Sequence, residues 1–191
     1  QDREFSIDRF GRALDEFGYD PAPVAIRCFG AEGDFYLKKY DAKAEIFASV
    51  AVKTRSHAVN NPRSLFSETL SEEEVMNSPE LYGGYLTRLM SCPPSCGAAA
   101  AVVCSEAFAN RKGITDGVEI IGQAMATDTP KTWTDPIELV GADMTRRAAQ
   151  AVYEEAGLGP ESAQLVELHD CFTPNEVITY EALGLCGEGE A

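Results

Sequence analysis

LVELHDCFTPNEVITYEALGL, residues 165–185, runs from a short apolar stretch through His169, Asp170 and Cys171 into a segment that carries the signals of a helix start. The preceding QLVELHD, residues 164–170, reads as a strand. Thr173 suits an N-cap, Pro174 suits the first helical position, and Glu176, three residues after Thr173, completes a capping box. A strand that ends where a helix begins puts His169 and Cys171 at its carboxyl end. Open α/β sheets hold ligands there, and the unpaired backbone N–H groups of the helix favour anions. On that reading the Cys171 thiol should ionise more easily than an ordinary cysteine, whose pKa is about 8.5. A histidine beside a cysteine is otherwise a common packing arrangement, because cysteine buries as a small hydrophobe.

Working outward from this turn, strand and helix alternate from about residue 89. GAAAAVVC (97–104) reads as a buried strand of small residues or a strand running into a helix, and SEAFANRKG (105–113) as a helix stopped by Gly113. GVEIIGQAM (117–125) is rich in β-branched residues and reads as a strand. A helix follows with Asp143 as N-cap, an apolar face of Met144, Ala148, Ala151 and Val152, and Gly157 as its stop. This alternation predicts an α/β sheet domain over 89–191. Residues 1–88 differ: Ile7, Phe10, Leu14 and Phe17, then Ile46, Phe47, Val50, Ala51, Thr54 and Ala58, recur at helical spacing. The breakers YDPAP, FGAEGD and NNPRS separate them, so this half is expected to be helices joined by long loops.

The whole chain has 191 residues, 45% of them hydrophobic, which is enough to bury a sizeable core. Sixteen basic residues against thirty-one acidic give a net charge of −15, which opposes nucleic acid as a partner. No apolar run approaches the ~20 residues of a membrane span. The six cysteines are scattered, and a chain of this length does not need staples, so reduced thiols in the cytoplasm are expected. Cys92 and Cys96 lack the second Cys/His pair that a zinc site would need, and no metal is expected.

The string VELHDCFTPNEVITYEALGL resembles the corresponding segment of the sterol carrier protein X thiolases, the lipid-transfer branch of the thiolase superfamily. There, His-Asp-Cys-Phe takes the place of the Asn-Glu-Ala-Phe motif of other thiolases. Three further stretches carry the same resemblance in the expected order. KYDAKAEIFASVAVKTRSHAVNNPRSLF (39–66), with His57 to Pro62, is similar to the loop domain. LTRLMSCPPSCGAAAAVVCSEAF (86–108) is similar to the entry into the second core domain, and ELVGADMTRRAAQAVYEEAGL (138–158) to its next helix. Cys96 departs from the branch, which usually has aspartate at this position.

The resemblance implies a partial thiolase-like fold, with a loop-domain region over 1–88 and the first part of the C-terminal core domain over 89–191. It implies acyl transfer on 3-ketoacyl-CoA or acetyl-CoA, with lipid- or sterol-derived acyl chains and coenzyme A as substrate rather than cofactor. His169 would serve the oxyanion side and Cys171 would be the acid/base. His57 would line the CoA side, where it is alternatively a helix-end histidine facing the dipole. Asn175 is a candidate ligand contact, and Lys53, Arg55 and Arg63 are candidates for phosphates. The nucleophilic cysteine and a Gly-His-Pro motif of complete thiolases are not found in these 191 residues, so the stretch alone is expected to be inactive. A homodimer or homotetramer is implied, in a cytoplasmic or, in a eukaryote, peroxisomal setting. Two other readings remain: a steroid side-chain aldolase working with an OB-fold partner protein, and a non-catalytic lipid or acyl-CoA binder.

Overall fold

The computed structural model describes residues 6–191. Helix α1 (Ser6–Glu16) leads into α2 (Val24–Tyr40), α3 (Glu45–Ala58) and the short α4 (Glu72–Met76). An antiparallel hairpin follows, β1 (Glu80–Tyr82) and β2 (Leu86–Thr87). Then come α5 (Glu106–Lys112), α6 (Pro136–Leu139), α7 (Ala142–Ala156) and α8 (Thr173–Ala182).

Helix α2 lies at the centre, touching α1, α6, β1 and α8. FGAEGD falls inside α2 and does not break it. The reason is close packing: a Cβ at Gly30 would overlap the ring of Tyr82, and one at Gly33 would overlap the Tyr85 hydroxyl and Pro174. Two helical glycines weaken the isolated helix by about 1 kcal/mol each, but they let the hairpin and the start of α8 come against its backbone. Tyr85 uses that approach to donate its hydroxyl to the Gly30 carbonyl at 2.8 Å.

The amphipathic spacing of α3 is realised, with Phe47, Val50 and Ala51 buried along with Ala48. They join Tyr36 of α2, Val75 of α4, Leu86 and Met90, and Phe172, Val177 and Ile178 from the far end of the chain. Burying a side chain the size of Phe47 contributes about 2–3 kcal/mol before chain entropy is counted. Packing therefore runs continuously across residue 88. A second cluster joins Ala13 and Leu14 of α1 to Ala31 and Leu139, with Phe10 set edge-on to Trp133 at 5.5 Å.

Three expected strands do not form. Segments 97–104, 117–125 and 164–170 have no strand structure, and most of their residues are exposed, with Val102 at 99% and Val118 at 98%. Their composition suits a strand, but a strand exists only through a neighbour's hydrogen bonds. Among the described residues, only the β1–β2 hairpin supplies such a neighbour. In the third segment the pairing is confined to one bridge just beyond it, Ser91 opposite Phe172.

The helices of this half match the sequence more closely. α5 stops at Gly113 and α7 at Gly157, both with left-handed φ of 66°. The N-cap of α7 is Gly141 rather than Asp143, which lies in the first turn and pairs with Arg147 at 2.8 Å. Its buried residues are Ala142 and Ala149, while Ala151 is exposed. The face is rotated because α7 packs against both α6 and α8 rather than on a sheet.

Candidate functional site

The turn from His169 to Asn175 is held by backbone contacts on both sides. The Cys92 N–H donates to the Cys171 carbonyl at 2.8 Å, and Asn175 donates its Nδ2 to the His169 carbonyl at 2.7 Å. Phe172 is buried and stacks on Phe29 of α2, with ring centroids 5.0 Å apart. His169 is left exposed, and Cys171 is half-buried. The structure thus brings His169, Cys171 and Asn175 together at the start of α8.

The helix start is not the one expected. Phe172, not Thr173, occupies the N-cap position, and no side chain caps the helix. Thr173 is the first helical residue, and its Oγ1 is buried with no hydrogen-bond partner. Glu176 has a different role from the capping one. Its side chain is 3% exposed, and its Oε1 accepts from the Lys53 ammonium and the Tyr180 hydroxyl. A cation from α3 takes the place of the backbone N–H groups, because a buried carboxylate is stabilised most by an opposite full charge held against it. Lys53, a candidate for phosphate, is thereby engaged within the protein.

Asp170 belongs to the same cluster. Burial first, and then its hydrogen bond to Glu176, raise its carboxyl to about 6. The Lys53 ammonium beside Glu176 works in the opposite direction and lowers the Asp170 carboxyl. Residues 169–176 are therefore tied to α3 through Lys53, Glu176 and Asp170.

The expectation of an easily ionised Cys171 is reversed. Burial, then Cys92, then Glu32 push the thiol up to about 11, against a single lowering hydrogen bond from the Phe172 backbone. The helix end acts on the wrong scale to win: its effect fades within a turn, whereas desolvation acts on the sulfur itself. Cys171 is a thiol at neutral pH. Glu32, inside α2, contributes to this electrostatics, and it is fully buried with both carboxylate oxygens unpartnered. Burial raises its own carboxyl well above the ordinary value.

A cavity of about 240 Å³ opens beside the turn, lined among others by Ala51 and Arg55 of α3, Phe66, Met90, Asp170 and Thr173. The Arg55 guanidinium lies over the Phe66 ring, 4.1 Å from its centroid. His57 stands exposed in the last turn of α3 and is not among the residues that line this cavity. Arg63 is exposed in the following loop. A larger cleft of about 520 Å³ between α7 and the end of α8 contains neither His169 nor Cys171. The Lys53–Glu176–Asp170 cluster and the orphaned Thr173 hydroxyl escaped sequence reasoning, and no local signal marks them.

Comparison with known proteins bears on this geometry. The family model described as thiolase C-terminal domain-like matches residues 124–191. Sterol carrier protein 2 of Homo sapiens is 45% identical over 180 residues, 93% of this chain and 33% of that protein. Benzoylsuccinyl-CoA thiolase subunit BbsB of Thauera aromatica is 40% identical over 181 residues, 95% of this chain and 46% of that one. Among solved structures, a chain of the Ltp2-ChsH2(DUF35) aldolase superposes with a TM-score of 0.79 at 26% identity, over 100% of this chain and 49% of that chain. The chain spans about a third of the length of its sterol carrier protein relatives. Among the described residues no helix is long and apolar enough to cross a membrane.

Proposed function

The chain belongs to the thiolase superfamily, in its lipid-transfer branch, with a partial thiolase-like α/β fold; on that premise we propose that the turn at 169–175 supplies the oxyanion and acid/base side of an acyl-CoA thiolase site. In thiolytic cleavage of a 3-ketoacyl-CoA, a cysteine nucleophile from outside this stretch takes the acyl group. The carbon–carbon bond breaks, and its electron pair stays on the departing acetyl-CoA as an enolate. The Cys171 thiol gives its proton to that carbon, and the thiolate so formed takes a proton from the incoming CoA thiol. His169 donates to the thioester oxygen, directly or through a water, where removing one such donor costs about a hundredfold to a thousandfold in rate. Asn175 acts by holding the His169 carbonyl, and His57 contacts CoA without entering the chemistry.

One observation carries this reading: a thiol pushed up to about 11 stands two residues from an exposed histidine, in a turn bordering a cavity. A group meant to deliver a proton to a carbanion has to be protonated when that carbanion forms. The exposed apolar segments 97–104 and 117–125 are read as strands that pair within the larger core this family's fold implies. The protein is also proposed to assemble as a dimer or tetramer.

The test is incubation of the intact protein with acetoacetyl-CoA and CoA, reading acetyl-CoA release. Thiolysis is expected, with Cys171→Ala reducing it by a hundredfold or more while the folded fraction is unchanged. Full thiolysis by that variant would sink the acid/base assignment. The superposition on an aldolase favours a second reading, retro-aldol cleavage of a β-hydroxyacyl-CoA with a partner protein. That substrate being cleaved in place of the ketoacyl ester would establish it. Binding of an acyl-CoA with neither bond broken would mark a carrier.

A further inference from the structure

Ser91 and Phe172 are paired in an isolated antiparallel bridge, and the next residues along the two segments are Cys92 and Cys171. The Cys92 N–H donates to the Cys171 carbonyl at 2.8 Å, so the two cysteines stand directly opposite each other at a hydrogen-bonded position. Residues so placed in an antiparallel pair have Cα atoms about 5.5 Å apart and side chains on the same face. That separation falls within the range of roughly 4.4–6.8 Å spanned by disulfides. Cys92 is exposed and Cys171 half-buried. Cys92 is also the second-largest influence on the Cys171 thiol, after burial.

We propose that Cys92 and Cys171 are a reversible oxidation site, closing to a disulfide between the two segments when the protein meets a peroxide. The Cys92 thiolate attacks one oxygen of hydrogen peroxide, the O–O bond breaks, and Cys92 becomes a sulfenic acid as the other oxygen leaves as hydroxide, which takes up the proton released by the Cys92 thiol to become water. The Cys171 sulfur then attacks the sulfenic sulfur; the S–S bond forms, the S–O bond breaks, and the oxygen leaves with the remaining proton as a second water. Two thiols and one peroxide give one disulfide and two waters. The backbone hydrogen bond holds the sulfurs in place through both steps, an advantage of proximity over any external thiol. Cys92 is exposed, and exposed disulfides are among those that reduce readily. The site is therefore suited to cycling rather than to stapling the fold. Cys96 lies four residues beyond Cys92 on the same exposed loop and is the competing partner.

The consequence for activity rests on the acyl-transfer reading, since a disulfide removes the proton that Cys171 delivers; the oxidation site itself does not. It is tested by treating the full chain with hydrogen peroxide, alkylating the remaining thiols, and mapping the peptides by mass spectrometry with and without dithiothreitol. Expected are two fewer alkylatable thiols and a cross-linked pair of peptides bearing Cys92 and Cys171, separated again by dithiothreitol. In Cys92→Ser the pair is absent and Cys171 is recovered as the alkylated thiol. Both cysteines alkylated after oxidation, a bridge from Cys92 to Cys96, or Cys92 ending as sulfinic acid would overturn the proposal. Because the map reads sulfur connectivity and not turnover, such a result leaves the acyl-transfer reading intact.

Discussion

Replacing Lys53 by methionine tests the link between α3 and the turn at 169–176. The substitution keeps most of the aliphatic stem and removes the ammonium, leaving the Glu176 carboxylate, 3% exposed, with only the Tyr180 hydroxyl and the Asp170 carboxyl as partners. Removing one member of a fully buried ion pair costs about 3–5 kcal/mol, and an exposed pair is worth about 0–1 kcal/mol. Lys53 is 42% exposed while its partner is buried, so the loss falls between these limits, about 2 kcal/mol. For a chain of this size that lowers Tm by about 4–8 °C. Thermal unfolding of wild type, Lys53→Met, Glu176→Gln and the double variant measures it. The double variant is expected to recover part of the loss, since no buried charge is then left unpaired. A Lys53→Met protein that melts with wild type, or a double variant whose losses simply add, would refute the argument that Lys53 neutralises Glu176. The neighbouring carboxyl adds a pH signature. The folded-state pKa of Asp170 is raised, so the folded protein binds the proton more tightly than the unfolded chain does. The associated stability is present below about pH 4 and lost as pH rises through about 6. Asp170 is only half-buried, and after discounting for solvent the loss is about 1 kcal/mol. Asp170→Asn should abolish that slope.

Three further outcomes follow from the packing and the titrations. Gly33→Ala pushes a methyl into the Tyr85 hydroxyl and Pro174, and should lower stability by about 1–3 kcal/mol in urea unfolding; unchanged stability would mean that α2 and α8 can separate freely. Glu32→Leu removes a fully buried, unpartnered carboxyl and should stabilise the protein at neutral pH by about 1–3 kcal/mol. Wild-type stability should decline as pH rises from the ordinary carboxylate range toward the raised pKa of Glu32, and this variant should lack that decline. With its thiol pushed up to about 11, Cys171 should react with iodoacetamide on the order of a hundredfold more slowly than an ordinary thiol at pH 7, as read by peptide mapping; rapid alkylation would contradict the desolvation argument.

How far the sequence could be read depends on the range of the forces involved. The apolar spacing of Phe47, Val50 and Ala51 marked the buried face of α3, and Gly113 and Gly157 marked the ends of α5 and α7, because these signals act within a turn or two of helix. The capping box of Ser71 and Glu74 at the start of α4 was equally local and could have been read from its spacing. Composition suggested strands at 97–104 and 117–125, but pairing needs a partner chain segment that composition does not reveal.

The site divides in the same way. His169, Cys171 and Asn175 fall within seven residues, so sequence alone determined that they share one turn, and the resemblance carried by that turn agrees with the family to which the chain belongs. Only the tertiary structure decided what that turn contacts. Glu176 was taken from its capping role by Lys53, 123 residues away, and Cys171 was moved away from thiolate by burial and by Cys92 and Glu32. Gly30 and Gly33, which read as a break in the chain, are the places where a helix backbone admits a hairpin and another helix. Each of these outcomes depends on desolvation and on contact between segments distant along the chain, which are properties of packing and not of local sequence.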